Sequence, residues 1–389
     1  MKKIIYYIFV MLFMSSTISC RDNEDPIIPE KQTEQTIIMF FPWSTNLLSY
    51  FQQNIRDFSE AIEKKGLNSE RVIVCLSSSP STAELFELKY KDGKCIADTL
   101  KYYQDQSFVN HFDITKMLND IKNVSSASRY GLIIGCHGMG WLPIKGVNTK
   151  STNNLLHYDI QTTPMTRYFG GLSPKYQIEV KDLAEGILNA GLKMEYILFD
   201  DCYMSSIEVA YDLKDVTDFL IACPTEVLVY GFPYHKCGEF LIGKVNYASI
   251  INAFYDFYNN YQYPYGTAAV TDCRELDKLA TIIQQINSNK TIKDKDIINN
   301  IQKMDGYSPT IFFDFGDYIS QICSDSILIN EFVIQLNKTI PFKCCTEKYY
   351  SALKGALPIY KFSGITTSEP STNQLATSVQ TTEWYKVTH

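Results

Sequence analysis

Two residues suited to covalent catalysis, His137 and Cys202, each stand directly behind a short apolar run. Tyr130-Gly131-Leu132-Ile133-Ile134-Gly135 leads into Cys136-His137-Gly138-Met139-Gly140-Trp141, and Tyr196-Ile197-Leu198-Phe199 leads into Asp200-Asp201-Cys202-Tyr203-Met204. A thiol is a strong nucleophile only as thiolate, which a nearby imidazole or a helix N-terminus favours. If the two runs are neighbouring strands, His137 faces Cys202 across the gap. A helix expected from about Met204 to Asp212 offers its N-terminus as well. Gly138 presents a backbone N–H with no side chain in a carbonyl's way, and with the N–H of Cys202 it makes a candidate oxyanion hole. A lone histidine behind a strand is ordinarily structural, and a lone buried cysteine is inert. The pair at corresponding strand ends is what points to catalysis.

The elements that must hold this pair read as a layered α/β protein. Residues 36–41, 71–76, 130–136, 196–199, 219–222 and 267–271 are apolar, β-branched runs of strand length. Between them lie helical patterns at 47–65, 112–121, 180–190, 204–212 and 249–261, with Gly66 and Gly191 as stops. Residues 85–91 and 95–100 flank Asp92-Gly93 as a hairpin. Near-continuous apolar strands alternating with helices predict a largely parallel sheet covered on both faces. Ligands bind such sheets beyond the carboxyl ends of the strands, where both candidate residues fall. Trp141 and Tyr234 are the aromatics best placed to wall a cleft there. His111, His157, His235 and His389 occupy loop-like or terminal contexts without ligand spacing. The 11 cysteines include no CxxC pair, and Cys75, Cys136 and Cys223 read as small buried hydrophobes, so no metal site is expected.

These residues resemble clostripain-type cysteine peptidases, which have a caspase-like fold. The resemblance is carried by Ile134-Gly135-Cys136-His137-Gly138, by Ile197-Leu198-Phe199-Asp200-Asp201-Cys202, and by the 65-residue gap. It extends to Thr36 through Leu48, to Ala222-Cys223-Pro224-Thr225-Glu226 with Gly231-Phe232-Pro233-Tyr234, and to the closing Glu383-Trp384-Tyr385-Lys386. It implies a three-layer sandwich whose mostly parallel central sheet has six or more strands, with a core at residues 36–275 and a C-terminal subdomain at about 276–389. It also implies a cysteine endopeptidase with Cys202 as nucleophile and His137 as acid and base. Asp200 would line the S1 pocket and select Arg or Lys, and a pocket carboxylate does pair a guanidinium bidentately. Asp201 stands where the family often has a small residue and reads as a cap for the following helix. Glu226 joins Trp141 and Tyr234 as a candidate cleft wall.

Two segments depart from the family pattern, Phe41-Pro42-Trp43-Ser44 and Pro224-Thr225-Glu226. They leave open a peptidase with a non-basic P1 preference, or a binding lipoprotein on an inactive peptidase scaffold. No cofactor is implied beyond calcium, which supports some relatives; no compact calcium loop is evident in the sequence. Some relatives cut themselves after the histidine strand, and the polar stretch from Lys145 to Asn154 is the corresponding place.

The N-terminus bears on location. Met1-Lys2-Lys3, an apolar run from Ile4 to Met14 and small residues up to Cys20 make a secretory signal. The apolar run rises roughly 16 Å as a helix, about half a bilayer core. The residues ending in Cys20 resemble a bacterial lipoprotein box, with Thr17 where Leu is commoner. That implies removal of residues 1–19 and lipid attachment at Cys20. Arg21-Asp22-Asn23-Glu24-Asp25 resembles the tag that sends Bacteroidetes lipoproteins to the cell surface, and residues 20–35 read as a flexible tether. The expected location is the cell envelope, at the outer membrane or the cell surface. A net charge of −7 gives no basic footprint for nucleic acid. The expected partners are protein or peptide substrates and a membrane reached through the lipid on Cys20.

Overall fold

The computed structural model describes residues 33–144, 170–288 and 296–389. The expected signal segment, Cys20, most of the tether, the stretch from Lys145 to Asn154 and His157 lie outside these residues. No described helix is long and apolar enough to cross a membrane.

Every expected strand forms. In chain order they are β1 (Thr33–Phe41), β2 (Glu70–Ser79), β3 (Thr82–Lys91), β4 (Lys94–Gln104), β5 (Ala127–Ile134), β6 (Met194–Phe199), β7 (Thr217–Ala222) and β8 (Thr267–Asp272). A short β9 (Phe313–Asp314) and β10 (Phe342–Cys345) follow. Nine of them make one sheet in the order β10-β8-β7-β6-β5-β1-β2-β3-β4. The central run β7-β6-β5-β1-β2 is parallel, and β3, β4, β8 and β10 pair antiparallel at its flanks. The last seven residues of β1 are all buried, as a strand covered on both faces requires.

The helices are α1 (Leu48–Lys65), α2 (His111–Val124), α3 (Val180–Asn189), α4 (Ile207–Leu213), α5 (Tyr234–Cys237), α6 (Tyr247–Asn259) and α7 (Leu276–Ser288). After them come α8 (Asp296–Asn299), α9 (Phe315–Ile322), α10 (Ser326–Thr339) and α11 (Glu383–Thr388). In α1, Phe51, Ile55, Phe58 and Ile62 recur at helical spacing and are buried. Gly66, at φ 78°, ends that helix just after Lys64 and Lys65. α1 packs with α5 and α6, whereas α2, α3, α4 and α11 form a second packed group with α7 and α10. Helices thus flank a large, mostly parallel sheet.

Residues Thr33–His389 form a compact unit. The expected boundary near residue 276 falls at the start of α7, and the chain beyond it returns to the sheet as β10. That later segment also reaches the strand ends. Thr366 N–H donates to the Ser205 carbonyl at 3.0 Å, and Ser205 Oγ donates to the Gly364 carbonyl at 2.8 Å.

Candidate active site

β5 and β6 are hydrogen-bonded neighbours, with Ile134 opposite Phe199, so the segments carrying His137 and Cys202 leave the sheet side by side. Two contacts extend that pairing past the strand ends. Asp200 N–H donates to the Ile134 carbonyl at 2.8 Å, and Cys136 N–H donates to Asp201 Oδ1 at 2.5 Å. Cys136 Sγ lies 3.5 Å from the other Asp201 oxygen. Asp201 therefore ties the segments carrying His137 and Cys202 together and does not cap the next helix. The cap is Ser206, which accepts from Val209 N–H, and α4 begins at Ile207 instead of Met204. Ser205 and Ser206 are held extended by Cys223 and Thr366, which delays the first helical turn. Because the field of a helix end falls off within about one turn, the terminus of α4 contributes little at Cys202.

Gly138 is seated directly on the Cys202 backbone. A Cβ there would collide with the Cys202 carbonyl oxygen and come within 2.9 Å of its amide nitrogen. His137 Nε2 is 2.9 Å from Asn46 Oδ1, on the link between β1 and α1. The amide oxygen can only accept, so Nε2 makes this contact as the N–H donor. Cys202 Sγ accepts from Val227 N–H at 3.3 Å. Sγ also lies 3.8 Å from the Val227 carbonyl, to which the thiol can donate. Burial, and secondarily nearby carboxylates, push the Cys223 thiol far above its ordinary range. His137 and Cys202 are only 2% and 1% exposed, so both side chains are covered.

Tyr203, next to Cys202, has φ 60°, a conformation that costs a non-glycine residue about 1–3 kcal/mol. Its ring stacks on Phe312 with centroids 4.8 Å apart, and its hydroxyl donates to Glu226 Oε1 at 2.8 Å. Packing on both sides holds the strained turn that presents Cys202.

Asp200 is fully buried. Its Oδ1 accepts from Phe232 N–H at 2.8 Å and its Oδ2 accepts from the Tyr234 hydroxyl at 3.2 Å. Gly231, at φ 63°, leaves no room for a side chain beside this carboxylate. The three expected cleft walls are packed inside. Tyr234 is fully buried and braces Asp200. Trp141 donates its indole N–H to Ser368 Oγ at 3.0 Å, and Glu226 accepts from Ala352 N–H at 3.0 Å besides Tyr203. Their aromatic or acidic character serves internal contacts in this state. Asn46 and Val227 complete the site without having been singled out in the sequence. Both reach it through strand order, which local spacing does not encode.

Among the described residues, the other histidines lie apart from the site. His235 pairs with Asp57 at 3.3 Å, and His389 stacks on Tyr385. Among the described residues, His111 with Asp182 and Glu185 brings donor atoms within 4.8 Å of one another at the packed ends of α2 and α3.

With the geometry in place, comparison with known proteins is informative. The sequence profile of the clostripain family matches residues 41–323. A secreted C11 cysteine protease from Bacteroides thetaiotaomicron, "iotapain", is 51% identical over 92% of this chain and 99% of its own, with a TM-score of 0.85. A clostripain from Bacteroides thetaiotaomicron, solved with a peptide inhibitor, is 57% identical over 57% of this chain and 99% of its own, with a TM-score of 0.56. An inactive zymogen C11 protease from Parabacteroides distasonis is 27% identical over 93% of this chain and all of its own, with a TM-score of 0.76. No curated protein matches the chain.

Proposed function

This chain belongs to the clostripain family of cysteine peptidases, and from that premise we propose that it cuts polypeptides with a Cys202–His137 dyad. The observation that carries the proposal is the seating of Gly138 against the Cys202 backbone beside a histidine oriented by Asn46. In this reading His137 Nδ1 takes the thiol proton and Cys202 Sγ attacks the scissile carbonyl. The N–H groups of Gly138 and Cys202 receive the developing oxyanion. The imidazolium then protonates the leaving amine, and water, activated by the same ring, releases the acyl group from sulfur. Sγ turns from Val227 towards the substrate for attack.

Asp200 is proposed as the S1 carboxylate that selects Arg or Lys. A carboxylate offers about four lone-pair sites, and Phe232 and Tyr234 approach two of them. The same contacts favour a second reading, in which Asp200 only braces the loop and P1 is not basic. A library varied at P1 separates the two: Asp200→Asn should erase a basic preference in the first reading and leave the ranking intact in the second. Cys202→Ala and His137→Ala should each lower turnover by at least about 100-fold while the protein stays folded. Undiminished hydrolysis by either variant would sink the dyad.

We further propose that residues 1–19 are removed and that Cys20 carries the lipid, placing the peptidase outside the cytoplasm on the cell envelope. The support is the signal pattern and the small residues ahead of Cys20. Cys20→Ala should move the protein from the membrane fraction to the soluble one with its activity retained. A variant that still sediments with membranes would refute the anchor.

A further inference from the structure

Beside the covered thiol lies a row of tyrosines, of which Tyr50 and Tyr261 back onto the core while Tyr230 and Tyr263 stand out from it. Val227, whose N–H reaches Cys202 Sγ, opens the segment Val227-Leu228-Val229-Tyr230-Gly231. The segment turns back on itself, Gly231 N–H donating to the Leu228 carbonyl at 2.8 Å, and Gly231 then sits against the Asp200 carboxylate. Tyr230 stands at the tip of this turn, 48% exposed. Its carbonyl accepts from Asn54 Nδ2 at 3.3 Å, and its ring meets Tyr50 edge-on with centroids 6.5 Å apart. Asn54 and Tyr50 belong to α1, the helix that follows Asn46. On the other side Tyr230 meets Tyr261 at 5.4 Å, and Tyr261 meets Tyr263 at 6.0 Å. Tyr261 also stacks on Phe257 at 5.3 Å, which fixes its ring, and Tyr263 is 38% exposed.

A continuous row of partly exposed aromatics marks a surface that something covers. Tyrosine suits the purpose because it offers a large rigid face at small entropic cost. The row also adjoins the nucleophile. Tyr230 is three steps along the chain from Val227, and an extended chain advances at most about 3.5 Å per residue, so the near end lies within roughly 10 Å of the residue touching the thiol. A bound peptide crosses that distance in about three residues. No charged side chain belongs to the row, so it suits an apolar occupant better than an ionic one.

We infer that Tyr50, Tyr230, Tyr261 and Tyr263 form a specificity wall for an apolar or aromatic side chain of the substrate, about two to four residues from the scissile bond. The inference rests on the peptidase reading above. Its test uses the full-length protein and peptides that keep the best-cut P1 residue while flanking positions carry Phe, Leu, Lys or Gly. Wild type should favour Phe or Leu over Gly by about tenfold in kcat/KM at one such position, chiefly through KM. Tyr230→Ala should compress that ratio below about twofold, and Tyr230→Phe should keep it. Equal loss on all peptides, with the ratio preserved, would make Tyr230 a loop brace and overturn the wall. So would a preference for Lys, or a dimer seen by sedimentation that Tyr230→Ala dissociates without changing the ratio. Cleavage indifferent to the flanking residues refutes the wall alone. Failure to cut any peptide refutes the peptidase reading and the wall with it.

Discussion

At the scale of single residues, the site depends on contacts that leave little latitude. Gly138 has no room for a methyl group beside the Cys202 carbonyl. Gly138→Ala should therefore cost at least about 1–3 kcal/mol in stability and displace the proposed oxyanion donors, which thermal melts and kcat together would reveal. Asn46 is a positioning residue. Asn46→Ala should lower kcat by roughly 10-fold or more, since general-base catalysis depends on ring orientation. Asn46→Asp should restore much of the rate while moving the pH–rate profile upward, because a carboxylate raises the pKa of its imidazole partner. An unshifted profile in the Asp variant would show that the amide does not orient the ring. The neighbouring placement of His137 and Cys202 was legible in the sequence because each closely follows its own strand. Asn46 was not, since it meets His137 across 91 residues of chain and only the adjacency of β1 and β5 brings them together.

At the scale of elements, the join between β5 and β6 is decisive. Asp201 spans it, and Asp201→Ala would leave the buried Cys136 N–H without this acceptor, at a cost of about 1–3 kcal/mol. Asp201→Asn should recover most of that loss, because its carbonyl can still accept; equal melting of the Ala variant and wild type would show that the clamp is unimportant. The strands and most helices were foreseen because burial on two faces or one stripe leaves a clear period. The start of α4 was misplaced because its upstream residues carry helical periodicity yet pair with Thr366, 161 residues further on.

α4 also carries Glu208, fully buried, whose carboxyl accepts from Thr367 Oγ1 at 3.0 Å and Ser368 N–H at 3.2 Å. Burial pushes its pKa up from 4.5 to about 7. Asp305 and Asp212 are pushed up in the same direction by burial, to about 7 and about 6. A carboxyl with a raised folded pKa holds its proton more tightly when folded, so its stabilisation is complete below the unfolded value and lost as pH rises through the folded one. The fold should thus lose stability between about pH 3.8 and pH 7 from these groups, with Glu208 contributing above about pH 4.5. Glu208 alone accounts for a change on the order of 3 kcal/mol. Glu208→Gln should flatten the dependence of Tm on pH over that window; an unchanged slope would refute the assignment.

At the scale of the whole molecule, residues 363–369 act as a lacing strand. Gly364 and Thr366 hold Ser205, Thr367 and Ser368 hold Glu208, and Ser368 holds Trp141 behind the histidine loop. Removing the chain from Ser363 onward should abolish peptide cleavage and lower the melting temperature, whereas an active truncated chain would show the lacing to be dispensable. The sequence displayed little of this, because the segment lacks a hydrophobic period and gains its meaning from distant partners, Glu208 and Ser205 standing 160 and 161 residues away. A ribosome makes this strand after nearly everything it braces. Until residues 363–369 are added and threaded back, a nascent chain has His137 and Cys202 but lacks the lacing that holds their segments together. On the proposed mechanism, the order of synthesis should therefore hold back peptide cleavage until this late segment has docked.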